Sequence, residues 1–325
     1  MTVSRSLLSP FVENLIGPTR PWIPTEKLIP NFYDKIKYCL HFRNLQFYLK
    51  HGLVIGKIHR ILSFTQSPWL KSWIDLCTEQ RKAARSEFEA DLAKLQANAT
   101  FSKTIEQKRN RMNIRLIADG NKFLKAVGKP FRKCEIINED LVMVRGARQK
   151  VKLDKPVAVG FSILELSKLT MYHFYYDYLK DHYGDRCKLL FTDTDSLCCE
   201  IETADIYADM GRNLDMFDTG NFAPDHPIYS MQNHRVLGKM KSETGSLPPD
   251  EFIGLRAKNY SLNVPGAMSK CQKKVKGVQK HYVKKHVRHN QFVEVLRNSQ
   301  KTIMSKFCTI QSKNHNVRTV RVNKL

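Results

Sequence analysis

Two carboxylates separated by a single residue, Asp193 and Asp195, lie in the stretch Phe191-Thr-Asp-Thr-Asp-Ser-Leu-Cys-Cys-Glu200. Such a pair supplies hard oxygen ligands for a divalent cation such as Mg²⁺, provided the backbone holds the two side chains in place. The flanks are suited to that task. Residues 188–192 are apolar enough for a buried strand, and beyond the pair Leu197, Cys199 and Ile201 alternate with Ser196, Cys198, Glu200 and Glu202. That alternation is the period of a half-buried strand, so the two acids are expected at the tip of a β-hairpin. A solvated turn is the competing reading, because Asp is a favoured turn residue.

The elements around the pair follow from local patterns. Pro10, Pro18, Pro21, Pro24 and Pro30 predict an extended or looped entry. Residues 38–42 suggest a strand, 44–51 a short helix stopped at Gly52, and 54–58 a further strand. Ser67-Pro68 has the chemistry of a helix start, with Leu70, Trp73 and Cys77 on the apolar side. Ser86 and Glu89 match a capping box, placing the next helix start at Glu87. Phe88, Leu92, Leu95 and Ala99 recur at helical spacing, and Lys94, Asn98 and Phe101 occupy a neighbouring stripe. Arg81, Lys82 and Arg85 give this helical hairpin a cationic tip. Strands are expected over 113–117, 134–137 and 141–144. A long helix over 161–183, with Leu169, Tyr172, Tyr176, Leu179 and Tyr183 in step and Gly184 as its stop, leads into the Asp hairpin. An acidic, turn-rich stretch (205–225) and an extended segment (252–262) follow.

The chain has 325 residues, 42% of them hydrophobic and 26% charged, which excludes a wholly disordered protein and allows a substantial core. Fifty-four Lys and Arg against 31 Asp and Glu leave a net charge of +23. That imbalance points to a polyanionic partner, nucleic acid before anionic membrane. Residues 270–325 carry fifteen Lys and Arg against the single acid Glu294. Cys39, Cys77, Cys134, Cys187, Cys198, Cys199, Cys271 and Cys308 form no zinc spacing and are expected as free thiols. No apolar run is long enough to span a bilayer, and the N-terminus lacks a signal-peptide core. The expectation is a soluble intracellular protein, the nucleus being one candidate compartment, with no membrane partner.

FTDTDSLCCEIET resembles motif C of family B DNA polymerases, whose core is Tyr/Phe-x-Asp-Thr-Asp-Ser. Upstream, Lys94-Leu-Gln-Ala-Asn-Ala-Thr-Phe-Ser102 is similar to motif B, usually Lys-x-x-x-Asn-Ser-x-Tyr-Gly. Downstream, Leu255-Arg-Ala-Lys-Asn-Tyr260 resembles the Lys-x-Tyr motif. The text around them (YCLHFRNLQFYL, KIHRIL, SPWLKSWIDL, FSILELSK, FIGLR) resembles the protein-primed branch, most closely the polymerases of Polinton/Maverick-type elements and related viruses.

The resemblance implies an α+β right-hand architecture. Residues 1–62 would form the N-terminal part of the palm, and 63–103 the fingers hairpin with motif B. Residues 104–262 would complete the palm with a small β insertion, motif C and Lys-x-Tyr, and 263–325 would make a basic, thumb-like region. It implies templated addition of dNTPs to a primer 3′-hydroxyl at a two-Mg²⁺ site, with a DNA template-primer and a terminal-protein primer as partners. Asp195 would be the main metal ligand and Asp193 a metal-site or primer-terminus residue. Lys94 and Lys82 would meet the incoming triphosphate, and Asn98 and Phe101 would line the pocket under the new base pair. Lys258 and Tyr260 would hold the primer strand, with Arg256 on a phosphate. Plainer readings stand beside these: Lys94 and Lys82 as solvated helix charges, Phe101 as core, and Lys258 and Arg256 as edge-strand charges.

The departures from the family pattern carry their own expectation. Motif A, which supplies the first catalytic Asp, has no counterpart: Glu13, Glu26 and Asp34 precede the fingers, none in that context. The acidic exonuclease motifs are missing as well. In motif B, Ser102 stands for the usual Gly and Ala99 for the frequent Ser, and Ala90 replaces a fingers lysine. The chain is therefore expected to begin just past motif A and to be nearly inactive by itself. A DNA-binding remnant without catalysis is the alternative. An Asp-x-Asp glycosyltransferase would explain the hairpin but neither the charge nor motif B.

Overall fold

A computed structural model of the chain describes residues 2–3, 25–26, 33–147, 150–266, 271–298, 303–313 and 316–324. Most of the proline-rich entry lies outside these residues; within it Thr2–Val3 (β1) pairs antiparallel with Thr25–Glu26 (β2). The architecture is mixed α+β. The chain divides into two units, residues 37–185 with 194–196, and residues 1–36, 186–193 and 197–325.

The unit of residues 37–185 opens with helix α1 (Phe42–Lys50), and no strand forms over 38–42. The aromatic character of that stretch is overridden by helical spacing just beyond it, which puts Asn44 and Phe47 together on the buried face. The segment expected as a strand at 54–58 is extended but has no sheet. Among the described residues no main-chain hydrogen bond joins 54–67 to another main-chain group, and Val54 is 91% exposed.

Helix α2 (Lys71–Ala83) begins later than Ser67-Pro68 suggested, with Leu70 at its N-cap and no capping side chain. Helix α3 (Glu87–Thr104) begins where the capping box placed it. Glu89 N–H donates to Ser86 Oγ at 3.2 Å, and Glu89 Oε2 accepts from Arg85 N–H at 2.8 Å. Its packing face is not the expected one. Phe88, Leu92, Leu95 and Ala99 are exposed, while Ala93 and Thr104 are buried. Small side chains win because they let neighbouring helices approach. Trp73 Nε1–H donates to Thr100 Oγ1 at 2.9 Å across the α2–α3 pair. At Gly160 of α5 (Val157–Tyr172), an added Cβ would overlap Thr104 Oγ1 and Ile105 Cγ2.

Between these helices lies a three-stranded antiparallel sheet in the order β3 (Asn113–Ile117), β5 (Leu141–Gly146), β4 (Phe131–Asn138), at positions the sequence patterns anticipate. Helix α4 (Gly120–Val127) covers one face around Ile117, Ala126 and Val144. Helix α5 runs on as a π-helical stretch, His173–Lys180, then a helical turn, Asp181–Tyr183, and Gly184 ends it at φ 55°. Tyr175 is buried in this stretch, and Tyr176, which the sequence spacing put in step with Leu169 and Leu179, is exposed.

A buried polar knot ties α1 to α5. Asn44 Nδ2 donates to both the main-chain oxygen and Oε2 of Glu165, at 2.9 and 3.0 Å. His41 N–H reaches Oε2 at 3.4 Å, and Lys168 Nζ holds Oε1 at 2.5 Å. Phe47 packs among Tyr172, His173 and Tyr176 beside it.

The other unit, which also holds residues 1–36, contains the two strands of the hairpin β6 (Cys187–Thr192) and β7 (Leu197–Ile201), as the alternation predicted, while the tip residues 194–196 group with residues 37–185. Helix α6 (Ile206–Arg212) and a short parallel pair, β8 (Phe217–Asp218) with β9 (Met240–Lys241), span the turn-rich stretch. Residues 252–262 form two strands rather than one extended piece. These are β10 (Glu251–Arg256) and β11 (Asn259–Asn263), reversed through Lys258, and β12 (Gln272–Val275) pairs on the far side of β11. Helices α7 (Lys280–His286) and α8 (His289–Arg297) pack on this sheet around Ile253, Val283, Val287 and Phe292. Ser261 Oγ and Glu251 Oε2 hold opposite nitrogens of His289, at 2.7 and 3.0 Å, fastening α8 to the same face. A long hairpin, β13 (Ser305–Lys313) with β14 (Asn316–Lys324), ends the described chain. No helix among the described residues is long and apolar enough to cross a membrane.

Candidate functional site

The Asp hairpin is locally irregular in two places. Its register shifts between Leu189 and Phe191, and Thr194 at its tip takes φ 62°. A register irregularity re-aims the side chains that follow it. A left-handed β-branched residue costs energy that surrounding structure must offset, and such strain clusters at functional sites.

Beyond the irregularity, Phe191 lies against the open face of the β10–β11–β12 sheet. Its ring centroid is 4.5 Å from Tyr260 and 5.3 Å from Phe252. Two positions further on, Asp193 meets two lysines. Lys258 Nζ lies 3.2 Å from Oδ1 and Lys274 Nζ 3.2 Å from Oδ2. Lys258 stands in the turn joining β10 to β11, its backbone in the left-handed region at φ 60°. Lys274 is the cross-strand partner of Tyr260. Pairing register thus puts Tyr260 and Lys274 side by side, under Phe191 and Asp193.

The electrostatics follow from this packing. The ammonium groups of Lys258 and then Lys274 hold the Asp193 carboxyl below the usual carboxylate range. Burial pushes the Tyr260 hydroxyl up, keeping it a neutral donor at physiological pH. Burial also pushes the Cys198 thiol, on β7, up to about 11. Asp195 is exposed and makes no hydrogen bond or ion pair among the described residues.

The two acids are therefore unequal as cation ligands. Both oxygens of Asp193 already face ammonium groups, whereas Asp195 is open to a hard cation. Among the described residues no group of three or more His, Cys, Asp or Glu is placed to hold a metal ion. In this arrangement Asp195 is the carboxylate of the pair placed to meet a hard cation.

The remaining sequence-derived residues sit as follows. Lys94 and Asn98 are exposed one turn apart on α3, Phe101 is half-buried on the next, and Lys82 is exposed in the last turn of α2. All four belong to the unit of residues 37–185. Arg256 is exposed at the end of β10. The fold brings Asp193, Lys258 and Tyr260 into one cluster and sets Lys94, Asn98 and Phe101 along one helix. Sequence reasoning missed Lys274, Phe191 and Phe252. The available signal was the cation-rich Lys273-Lys274-Val275-Lys276, which does not say which lysine turns toward the hairpin.

No family model matches the chain, and no curated protein or solved structure is detectably similar to it.

Proposed function

We propose that this chain derives from a family B DNA polymerase of the protein-primed kind and serves DNA-templated nucleotidyl transfer in replication of a mobile element or virus. Its ligands on this reading are a DNA template-primer and dNTPs, with a terminal protein as a further partner, in an intracellular and candidate nuclear setting. The observation that carries the reading is the convergence of Asp193, Lys258, Tyr260 and Phe191. The first and last lie in the stretch resembling motif C, the other two in the Lys-x-Tyr stretch, and they meet at 3.2 and 4.5 Å.

The chemistry of each group suits the task. Lys258 offers a phosphate cation at the sheet turn, and Tyr260 a neutral hydroxyl that donates to a strand end. The basic C-terminal region supplies sequence-independent affinity for the DNA backbone. Lys94, with Lys82, is suited to a triphosphate and Asn98 and Phe101 to a base pair, as the motif B likeness implies. Asp195 would hold a divalent cation, which when bound polarises phosphoryl oxygens and activates a hydroxyl.

A second reading, DNA binding without turnover, is favoured by a specific observation: the lysines occupy Asp193 and leave Asp195 as the only carboxylate of the pair open to a cation. Primer extension with Mg²⁺, run beside DNA-binding anisotropy for wild type and Asp195→Ala, tests both. Extension lost in Asp195→Ala at unchanged DNA affinity supports the polymerase reading. Equal zero extension with DNA affinity retained selects the non-catalytic one. Absence of DNA binding overturns both.

A further inference from the structure

We propose that Lys258 and Lys274 form a two-lysine site for one phosphate of a nucleic-acid strand, in which Asp193 is the resident anion that holds the lysines together until the phosphate arrives. This rests on the polymerase reading and adds Lys274, on a strand outside every motif that suggested it.

The geometry defines such a site. Each lysine reaches a different oxygen of one carboxylate, both at 3.2 Å, so an oxyanion already sits between them. Two ammonium groups drawn this close would repel without it, and two lysines against one carboxylate leave a surplus positive charge for a phosphate. The lysine stems are anchored from both sides. Lys258 projects from a tight turn whose left-handed backbone fixes its root, and Lys274 from a strand paired to the central β11. The site is open to a ligand: the side chains of Lys258 and Lys274 are 53% and 49% exposed, that of Asp193 21%. Phe191, Phe252 and Tyr260 form an apolar wall next to it, suited to a sugar or base edge of the same strand.

A strand phosphate and a free pyrophosphate share this chemistry, so both serve as probes. The experiment uses the full chain. Anisotropy follows a fluorescein-labelled recessed duplex between about 50 and 200 mM salt, a range over which a phosphate contact shows in the slope. Calorimetry follows inorganic pyrophosphate. The variants are Lys274→Ala, Lys274→Arg, Asp193→Asn and, as a charge control, Lys188→Ala, which removes a β6 lysine paired with Glu200 and Glu202. Circular dichroism verifies that each variant is folded.

Lys274→Ala should weaken duplex binding roughly 3- to 10-fold and reduce the logarithmic salt slope by about one, with recovery in Lys274→Arg. Asp193→Asn should bind the duplex as well as wild type or better, and retain Mn²⁺ affinity by electron paramagnetic resonance. Equal effects of Lys274→Ala and Lys188→Ala overturn the proposal, since Lys274 would then be only general charge. Loss of Mn²⁺ binding in Asp193→Asn also overturns it, making the lysines counter-ions of a metal ligand. If wild type binds pyrophosphate through Lys274 but no DNA, the pair is a free-phosphate site, which overturns its assignment to a nucleic-acid strand together with the polymerase reading. If it binds neither, both fall.

Discussion

Glu165 and Asp193 are both carboxylates gripped by nitrogen donors, and they do opposite jobs. Glu165 is 3% exposed and its oxygens meet Asn44, the His41 amide and Lys168. No ligand can enter, so that knot only fastens α1 to α5. The lysines on both carboxylates are about half in solvent, but the Asp193 side chain is itself 21% exposed against 4% for that of Glu165. At Asp193 the partners can be exchanged for a ligand. The same ionic chemistry is structural when sealed and functional when open, because burial turns a lost partner into an unsolvated charge.

The largest effect that could break this contrast comes from Glu165→Ala. It removes the Oε2 acceptor shared by the buried Asn44 amide and the His41 N–H, leaving Asn44 only the Glu165 main-chain oxygen, and should cost about 2–3 kcal/mol in urea denaturation. Asp193→Asn should change stability by less than about 1 kcal/mol, because its pairs are solvent-screened. Equal losses would erase the distinction. Next in size, Asn44→Ala should cost about 1–2 kcal/mol, and its effect should fall sharply in a Glu165→Ala background, the mark of one coupled knot.

A smaller test uses pH. The folded pKa of Asp193 is lowered, so its contribution is fully present above the unfolded value, about 3.9, and is lost as pH falls through the lower folded value. The stability difference between wild type and Asp193→Asn should therefore stay flat from neutral pH down to about 4, then shrink. A difference that changes near neutrality would mean that another group controls the cluster. The smallest test is chemical. Cys39 and Cys308 are exposed, whereas the Cys198 thiol is raised to about 11 by burial. Alkylation at pH 8 followed by peptide mass spectrometry should label the first two and spare Cys198 until the chain is unfolded.

How much of this was legible depended on range. The capping box at Ser86 and Glu89 and the alternation after Asp195 are local, and both stood in the structure. The inward face of α3 was not legible, because periodicity shows which residues share a face but not which face is covered. There Ala93 and Thr104 pack inward while Leu95 faces out, and the contact with Gly160 permits it. The strand expected at 38–42 does not form, and the helix expected just after it begins at Phe42 with a buried face chosen by Glu165, far along the chain. Asp193 and Asp195 were recognisable as a pair. Their inequality was not, since Lys274 reaches Asp193 from 81 positions away through strand pairing.

The extended segment 54–67 has a consequence for how the chain behaves in solution. Its main-chain donors and acceptors meet no other main-chain group among the described residues, and it exposes Val54, Ile58, Ile61 and Leu62. Such an edge is a template for association between copies. The +23 net charge works against that encounter, since like-charged molecules repel over the Debye length. Added salt shortens that reach and leaves the edge unchanged. Ionic strength should therefore govern the colloidal stability of this chain, dilute salt keeping it dispersed and concentrated salt favouring strand-to-strand association.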